Sequence, residues 1–82
     1  MVLVKLDPYF EKVLFKVKDT LTRKKVFAQI EKLRNNPEIG KPMRHERKGT
    51  RELYLSPFRI SYLYIKEEDK VVFLDLYHKD EQ

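Results

Sequence analysis

The sequence predicts an α+β fold: a strand, an antiparallel helical hairpin, and then a three-stranded antiparallel meander (β-α-α-β-β-β), with both helices packed on one face of the sheet. Two apolar stripes of helical spacing occupy the first half of the chain. Three short runs rich in β-branched and aromatic residues occupy the second half. A chain of 82 residues can bury one core, so residues 1–82 are predicted to form a single domain.

The N-terminal elements are a strand and a helix. Residues 2–6 are short, apolar and rich in valine, which is typical of a strand. Asp7 is a suitable helix N-cap and Pro8 a suitable first helical residue, because the amide hydrogen that proline lacks has no partner there. A helix is therefore predicted from Pro8 to about Lys18. Its core stripe is Tyr9, Phe10, Val13, Leu14 and Val17.

A second helix follows a break at residues 19–22, which are of the types that cap helices. Its core stripe is Val26, Phe27, Ile30 and Leu33. Pro37 disfavours helical geometry in the residue before it, so the helix is predicted to end near residue 36. Gly40 and Pro42 argue against regular structure until about Met43.

Three strands are predicted at residues 51–56, 59–65 and 71–77. A tight turn at Pro57-Phe58 joins the first pair, and a polar loop at residues 66–70 joins the second, so the strands are antiparallel. The last strand opens with four consecutive apolar residues, which indicates burial near the sheet centre. Two helices on one face leave the other face partly open, and function is expected there.

Composition excludes several classes of protein. There is no cysteine, so neither a disulfide framework nor a thiolate metal site is possible, and a reducing cytosol is the expected location. No secretory signal or membrane-length apolar stretch is present. The two histidines, His45 and His78, stand apart, and no phosphate-loop, dinucleotide, zinc-protease or serine-hydrolase motif occurs. No cofactor or metal is expected.

Positive charge is concentrated in residues 41–61, which contain six Lys or Arg against two Asp or Glu. Such a segment attracts a phosphate backbone or an acidic protein, or is simply a solvated face. Arginines with aromatics and a histidine suit metal-free RNA cleavage, in which the ribose 2′-hydroxyl attacks the adjacent phosphate. That reaction needs a base, an acid and a cation that offsets the growing negative charge.

Three motifs in order make the chain resemble the RelE/ParE toxin superfamily. Residues 47–53 (RKGTREL), 58–62 (FRISY) and 78–80 (HKD) are similar to the family patterns L-K-G-x-R-x-L, Y-R-I-x-Y and H-R-x-D. The resemblance covers nearly the whole chain. It implies a toxin that cleaves messenger RNA in the ribosomal A site and is held inactive by an antitoxin protein.

The resemblance also implies the site residues. Arg59 is assigned to the scissile phosphate, Lys79 is a second cation, and His78 handles a proton. Tyr54 is the remaining catalytic candidate and stands where well-known members have a lysine, as does Glu52. The residues expected to hold messenger or ribosomal RNA are Lys41, Arg44, Arg47, Lys48 and Arg51.

Alternatives stay open at this point. Arg59 has an alternative role as the ion-pair partner of Glu52 across the hairpin, and Tyr62, Tyr64 and Tyr77 are expected to pack in the core or sheet. Glu52, together with a chain that stops at Gln82 without the family's final aromatic, permits a DNA gyrase inhibitor or a module that only binds its antitoxin. The antitoxin is expected to place an acidic or amphipathic helix in a groove between the helices and the sheet.

Overall fold

A computed structural model describes residues 1–78 and 80, without the side chain of Arg47. Five strands form one sheet, in the spatial order β1-β5-β4-β3-β2. The elements are β1 (Leu3–Leu6), α1 (Pro8–Lys16), α2 (Thr20–Asn35), β2 (Lys41–Pro42), β3 (Thr50–Leu55), β4 (Phe58–Ile65) and β5 (Lys70–His78). Short 3-10 turns span His45–Arg47 and Lys66–Glu68.

The sheet is mixed. β5 pairs with β1 in parallel and with β4 antiparallel, and β3 pairs antiparallel with β4 and with β2. The predicted α+β fold of a strand, two helices and a meander is confirmed. The two-residue β2 was not predicted, and the expectation of no regular structure before Met43 is wrong at Lys41 and Pro42. Pro42 lacks an amide hydrogen, which restricts it to an edge strand such as this one.

Both helices begin at aspartate caps. The Asp7 carboxylate accepts a hydrogen bond from the Tyr9 amide at 2.9 Å, and Pro8 occupies the first turn as predicted. Helix α1 ends at Lys16, two residues before its predicted end, because the chain is already extended at Val17. Asp19 is also extended and caps α2.

The core lies between the helices and one face of the sheet. Phe73 of β5 connects the two layers, since its ring centroid is 5.5 Å from that of Phe10 in α1 and 5.9 Å from that of Tyr62 in β4. The buried apolar residues are Val2, Phe10, Leu14, Val26, Ile30, Leu33, Ile60, Tyr62, Val71, Phe73 and Leu76. We call the face without helices the open face.

A bulge in β5 decides which of its side chains reach the open face. Ser61 pairs with Asp75 and the next residue, Tyr62, pairs with Phe73, so Leu74 is an extra residue on β5. The alternation of side chains is thereby shifted. Leu76 enters the core, while Tyr77 stands on the open face, opposite Arg59.

Within the part of the chain that the structure describes, no helix combines the length and the apolar character needed to cross a bilayer.

Candidate functional site

Three neighbouring strands bring a carboxylate, a guanidinium and a phenol together on the open face. Arg59 of β4 is flanked in the register by Tyr54 of β3 and Tyr77 of β5. Glu52 lies two residues before Tyr54 and therefore on the same face. We call Glu52, Tyr54, Arg59 and Tyr77 the candidate site.

Glu52 is the centre of this cluster and is buried, with only 5% of its side chain exposed. The Tyr77 hydroxyl donates a hydrogen bond to Glu52 Oε2. Arg59 Nη1 lies 3.5 Å from Glu52 Oε1. A carboxylate buried in this way must be compensated by donors, and the cation and the phenol supply that compensation.

Arg59 is only loosely held by Glu52. The single Nη1–Oε1 separation of 3.5 Å is at the upper limit of a hydrogen bond. Its Nε is buried and has no hydrogen-bond partner among the described residues. Guanidinium has five donors in a planar fork, so Arg59 keeps capacity for the two oxygens of a phosphate.

Tyr54 places an aromatic ring beside this arginine. The Arg59 Cζ atom lies 5.7 Å from the Tyr54 ring centroid, which is cation–π distance. The tyrosine is 53% exposed, although it lies on a strand of the sheet. An exposed ring next to a phosphate-binding cation is an arrangement on which a nucleobase can stack.

Predicted RNA-binding cations lie along the edge next to β3. Lys41 pairs with Glu52 in the register and is exposed on the open face. Lys41 and Arg44 line one surface pocket, and Lys48 is exposed after the 3-10 turn. Arg47 belongs to that turn, and its side chain lies outside the described structure. Their role in RNA binding stays a prediction.

Arg51 stands on the helix side of the sheet, opposite the candidate site. It pairs with the buried Tyr62 in the register, and its Nη1 donates to the carbonyl oxygens of Glu38 at 3.0 Å and Gly40 at 2.9 Å. Its Nη2 lies 3.7 Å from the Glu38 carboxylate. The structure therefore does not bring Arg51 together with Arg59.

His78 is also separated from Arg59. It pairs with Phe58, one register position from the Arg59–Tyr77 pair, so it points to the helix side. Its ring contacts Phe58 edge-on at 5.7 Å, and its Nδ1 accepts a hydrogen bond from the Asp80 amide at 3.2 Å. Lys79 lies outside the described residues. The roles of both residues stay predictions.

Sequence reasoning missed Tyr77 as a site residue. It treated Glu52 as a departure from the family pattern and, in an alternative interpretation, as the ion-pair partner of Arg59, which the structure places 3.5 Å away. The β5 bulge places Tyr77 on the open face, and no residue type at Leu74 marks that bulge. Glu52 had a signal, because a lone acid follows three cations in residues 47–51 and pairs with Arg59 across the predicted hairpin.

A second surface feature is a groove between the helix connection and the β3–β4 turn. Its lining residues are Val13, Lys16, Val17, Lys18, Asp19, Thr22, Pro57 and Phe58. Three partly buried apolar side chains, Val13, Val17 and Phe58, form its apolar part. Two lysines and Asp19 add charge to it.

Metal ligands do not cluster in the described part of the chain, where no three His, Cys, Asp or Glu side chains are placed to hold one ion.

The fold is shared with solved toxin structures at low sequence identity. The intact Escherichia coli RelBE toxin–antitoxin complex matches with a TM-score of 0.82 and 16% identity, over 95% of this chain and 96% of that chain. The RelBE2 complex from Mycobacterium tuberculosis matches with a TM-score of 0.76 and 24% identity, over 95% and 98%. A metal-bound toxin from Helicobacter pylori matches with a TM-score of 0.76 and 20% identity, over 99% and 98%.

The sequence itself identifies the family. No curated protein sequence matches the chain. Residues 4–82 match the family described as ParE toxin of type II toxin–antitoxin system, parDE. This match spans both helices, all five strands but the first residue of β1, and the whole candidate site. The chain therefore belongs to the ParE toxin family of type II toxin–antitoxin systems, within the RelE/ParE superfamily.

Proposed function

We propose that this toxin is a metal-independent endoribonuclease that cleaves messenger RNA on the ribosome in the cytoplasm. The observation that supports the proposal is the arrangement of Arg59, Glu52 and Tyr77 on the open face. The side chain of Arg59 is 37% exposed and its guanidinium has donors beyond the one near Glu52, while Glu52 is a carboxylate beside it that can accept a proton.

The reaction needs few groups. Glu52 takes the proton of the ribose 2′-hydroxyl, whose oxygen attacks the adjacent phosphorus. The bond from phosphorus to the 5′-oxygen breaks, which leaves a 2′,3′-cyclic phosphate and a 5′-hydroxyl. Arg59 offsets the charge that grows on the phosphate oxygens, and the Tyr77 hydroxyl holds Glu52 in place.

Substrate RNA contacts extend from this centre. Tyr54 stacks on a base next to the cleaved phosphate, since its ring is exposed beside Arg59. Lys41, Arg44 and Lys48 bind the messenger or ribosomal RNA backbone, because they are exposed near the same edge. The leaving 5′-oxygen takes up a proton, and Lys79 is the candidate donor, because His78 points to the helix side of the sheet.

One observation favours a second function, inhibition of DNA gyrase. A buried glutamate partly neutralises the arginine on which cleavage depends. The family that matches is also the one described as ParE toxins. A less cationic open face binds RNA less strongly. In this alternative the toxin acts on a protein target instead of RNA.

The partner that restrains the toxin is proposed to be a cognate antitoxin. Two of the solved structures with this fold are described as toxin–antitoxin complexes. The groove beside the β3–β4 turn offers apolar Val17 and Phe58 next to Lys16 and Lys18. An amphipathic helix with acidic residues along its flank matches both features.

The experiment that tests the proposal is induction of the chain in growing cells without an antitoxin, with transcript 5′ ends mapped within minutes. Arg59→Ala is the test variant, and Arg23→Ala, which removes an equal charge from α2, is the matched control. Cuts within translated codons that persist in Arg23→Ala and vanish in Arg59→Ala support the ribonuclease. Growth arrest with intact transcripts and trapped DNA breaks supports gyrase inhibition, and no arrest contradicts both activities.

A further inference from the structure

The two-residue strand β2 has few pairing contacts of its own. It consists of Lys41 and Pro42, and Pro42 has no amide hydrogen to donate to β3. β2 nevertheless places Lys41 opposite Glu52 in the register, on the same face as Arg59. The position of Lys41 therefore depends on this short pairing, on the Met43 hydrogen bond that follows it, and on whatever holds the segment before it.

The segment before β2, residues 37–40, is held by two side chains. The Tyr62 hydroxyl donates to the Pro37 carbonyl at 2.8 Å and accepts from the Gly40 amide at 2.9 Å. Arg51 donates to the carbonyls of Glu38 and Gly40, at 3.0 and 2.9 Å. Four backbone polar groups of a four-residue segment are thus bound by side chains from the sheet.

The two holding residues are cross-strand neighbours. Arg51 of β3 and Tyr62 of β4 pair directly in the register, and both point to the helix side. Their chain neighbours Glu52 and Ser61 pair with each other on the open face. The clamp on the helix side therefore lies one residue along the strands from the Glu52–Ser61 pair, and Glu52 belongs to the candidate site. We call Arg51 and Tyr62 the clamp.

Gly40 and Tyr62 fit each other so closely that a side chain at Gly40 would collide with Tyr62. A β-carbon at Gly40 would lie 2.5 Å from the Tyr62 hydroxyl oxygen and 2.7 Å from the ring. Tyr62 is fully buried and packs on Phe73, so its ring cannot move away. Burial raises the pKa of the Tyr62 phenol, which keeps it protonated and able to donate.

We propose that Arg51 and Tyr62 are positioning residues of the RNA site, which act through residues 37–40 to hold Lys41 beside Glu52 and Arg59. The inference rests on the proposed ribonuclease function and adds to it. It gives Arg51 an indirect role, in place of the RNA contact that its position in the basic segment predicts.

The test measures binding of a short RNA with 2′-O-methyl sugars, which has no free 2′-hydroxyl and cannot be cleaved, as a function of salt. Lys41→Ala removes one phosphate contact and should lower the slope of log affinity against log salt by about 0.7 for a single strand. Tyr62→Phe keeps the ring but loses the hydroxyl, and should lower the slope equally. In the double variant Lys41→Ala/Tyr62→Phe the slope should fall no further, because both substitutions remove the same phosphate contact.

Tyr64→Phe is the matched control, since Tyr64 lies on the same strand and face and packs against the core. It should leave the slope unchanged. Arg51→Lys keeps the charge but loses the guanidinium that donates to the Glu38 and Gly40 carbonyls. It should lower the slope as Tyr62→Phe does. Additive effects of Arg51→Ala and Lys41→Ala would show instead that Arg51 touches RNA itself, and would overturn the inference.

Amide exchange in the free protein separates this inference from the proposed function. The Met43 amide donates to Thr50 at 2.9 Å just after β2. It should exchange faster in Tyr62→Phe than in Tyr64→Phe, while amides of β5 are unchanged. If the Met43 amide exchanges no faster in Tyr62→Phe, the role of the clamp is contradicted, even if the protein binds RNA. If it exchanges faster but the parent chain binds no RNA, only the proposed function and the role of Lys41 in it are contradicted.

Discussion

The hydroxyl of Tyr77 on β5 donates a hydrogen bond to the carboxylate of Glu52 on β3, across the intervening strand that carries Arg59. The bond links the two outer strands of the β3-β4-β5 meander above the arginine. It also makes Glu52 a bridge between a neutral donor and a cation. Single substitutions of Glu52 and of Tyr77 should therefore affect RNA binding, cleavage and stability in different ways.

Glu52→Gln should separate RNA binding from cleavage. The amide cannot accept the proton of the 2′-hydroxyl, so we expect cleavage to fall by about 10²- to 10⁴-fold. Binding of uncleavable RNA should tighten, because Arg59 loses the negative charge beside it. Single-turnover cleavage and equilibrium binding measure the two effects.

Glu46→Gln is the control for this change. Glu46 is an exposed acid in the same basic segment. Its substitution removes the same formal charge and leaves the surroundings of Arg59 unchanged. Equal cleavage by Glu52→Gln and the parent chain would exclude Glu52 as the base. Equal tightening in both variants would mean that only net charge matters.

Tyr77→Phe should weaken both stability and cleavage. Loss of the phenol removes a donor from a buried carboxylate, which typically costs about 1–3 kcal/mol of unfolding free energy. Misplacement of Glu52 should slow cleavage by up to about 10²-fold. Urea unfolding and single-turnover rates provide the measurements.

Tyr9→Phe serves as the control, because Tyr9 is 57% exposed on α1, away from the sheet. A Tyr77→Phe protein that cleaves normally at reduced stability would limit Tyr77 to a structural role.

Tyr54 is expected to act through its ring and not its hydroxyl. Tyr54→Phe should bind RNA as the parent does, while Tyr54→Ala should lose about 1–3 kcal/mol of binding free energy, the usual contribution of one stacked base. Tyr9→Ala removes an equally exposed aromatic from a helix and should have no effect on RNA binding. A loss in Tyr54→Phe as large as in Tyr54→Ala would assign the effect to the hydroxyl.

Local signals in the sequence predicted the elements better than the faces of the sheet. Asp7 and Pro8 fix the start of α1 because capping depends only on neighbours in the chain. The short β2 escaped prediction because its pairing comes from β3 and from the clamp on residues 37–40, which are distant in sequence.

The candidate site was only partly predictable for the same reason. Arg59 follows from the motif at residues 58–62, and the structure places it on the open face. The neighbours of Arg59 depend on register, and the bulge at Leu74 decides that Tyr77, not Leu76, faces it. A one-residue shift of this kind reverses every later side chain and leaves no mark in composition.

The N-cap of α2 should contribute less to stability in acid than at neutral pH. The Thr22 hydroxyl donates to the Asp19 carboxylate at 2.6 Å, and the Leu21 amide donates to it at 3.2 Å. The Thr22 hydrogen bond, with smaller help from Leu21, lowers the pKa of Asp19 below its ordinary 3.8. A carboxyl whose pKa is lowered on folding adds stability above the unfolded pKa, and this stability is lost as the pH falls through the folded pKa.

Thr22→Val should therefore raise the pKa of Asp19 toward 3.8, while Thr22→Ser keeps the hydroxyl and should leave it low. The parent should be more stable than Thr22→Val near neutral pH, and the difference should shrink as the pH falls below 3.8, because a protonated Asp19 is a poorer acceptor for either cap. Carboxyl shifts measured by NMR, together with urea unfolding across the same pH range, provide the check. A stability difference that does not change with pH would mean that Thr22 contributes through packing in the groove, which it also lines, and not through the charge of the cap.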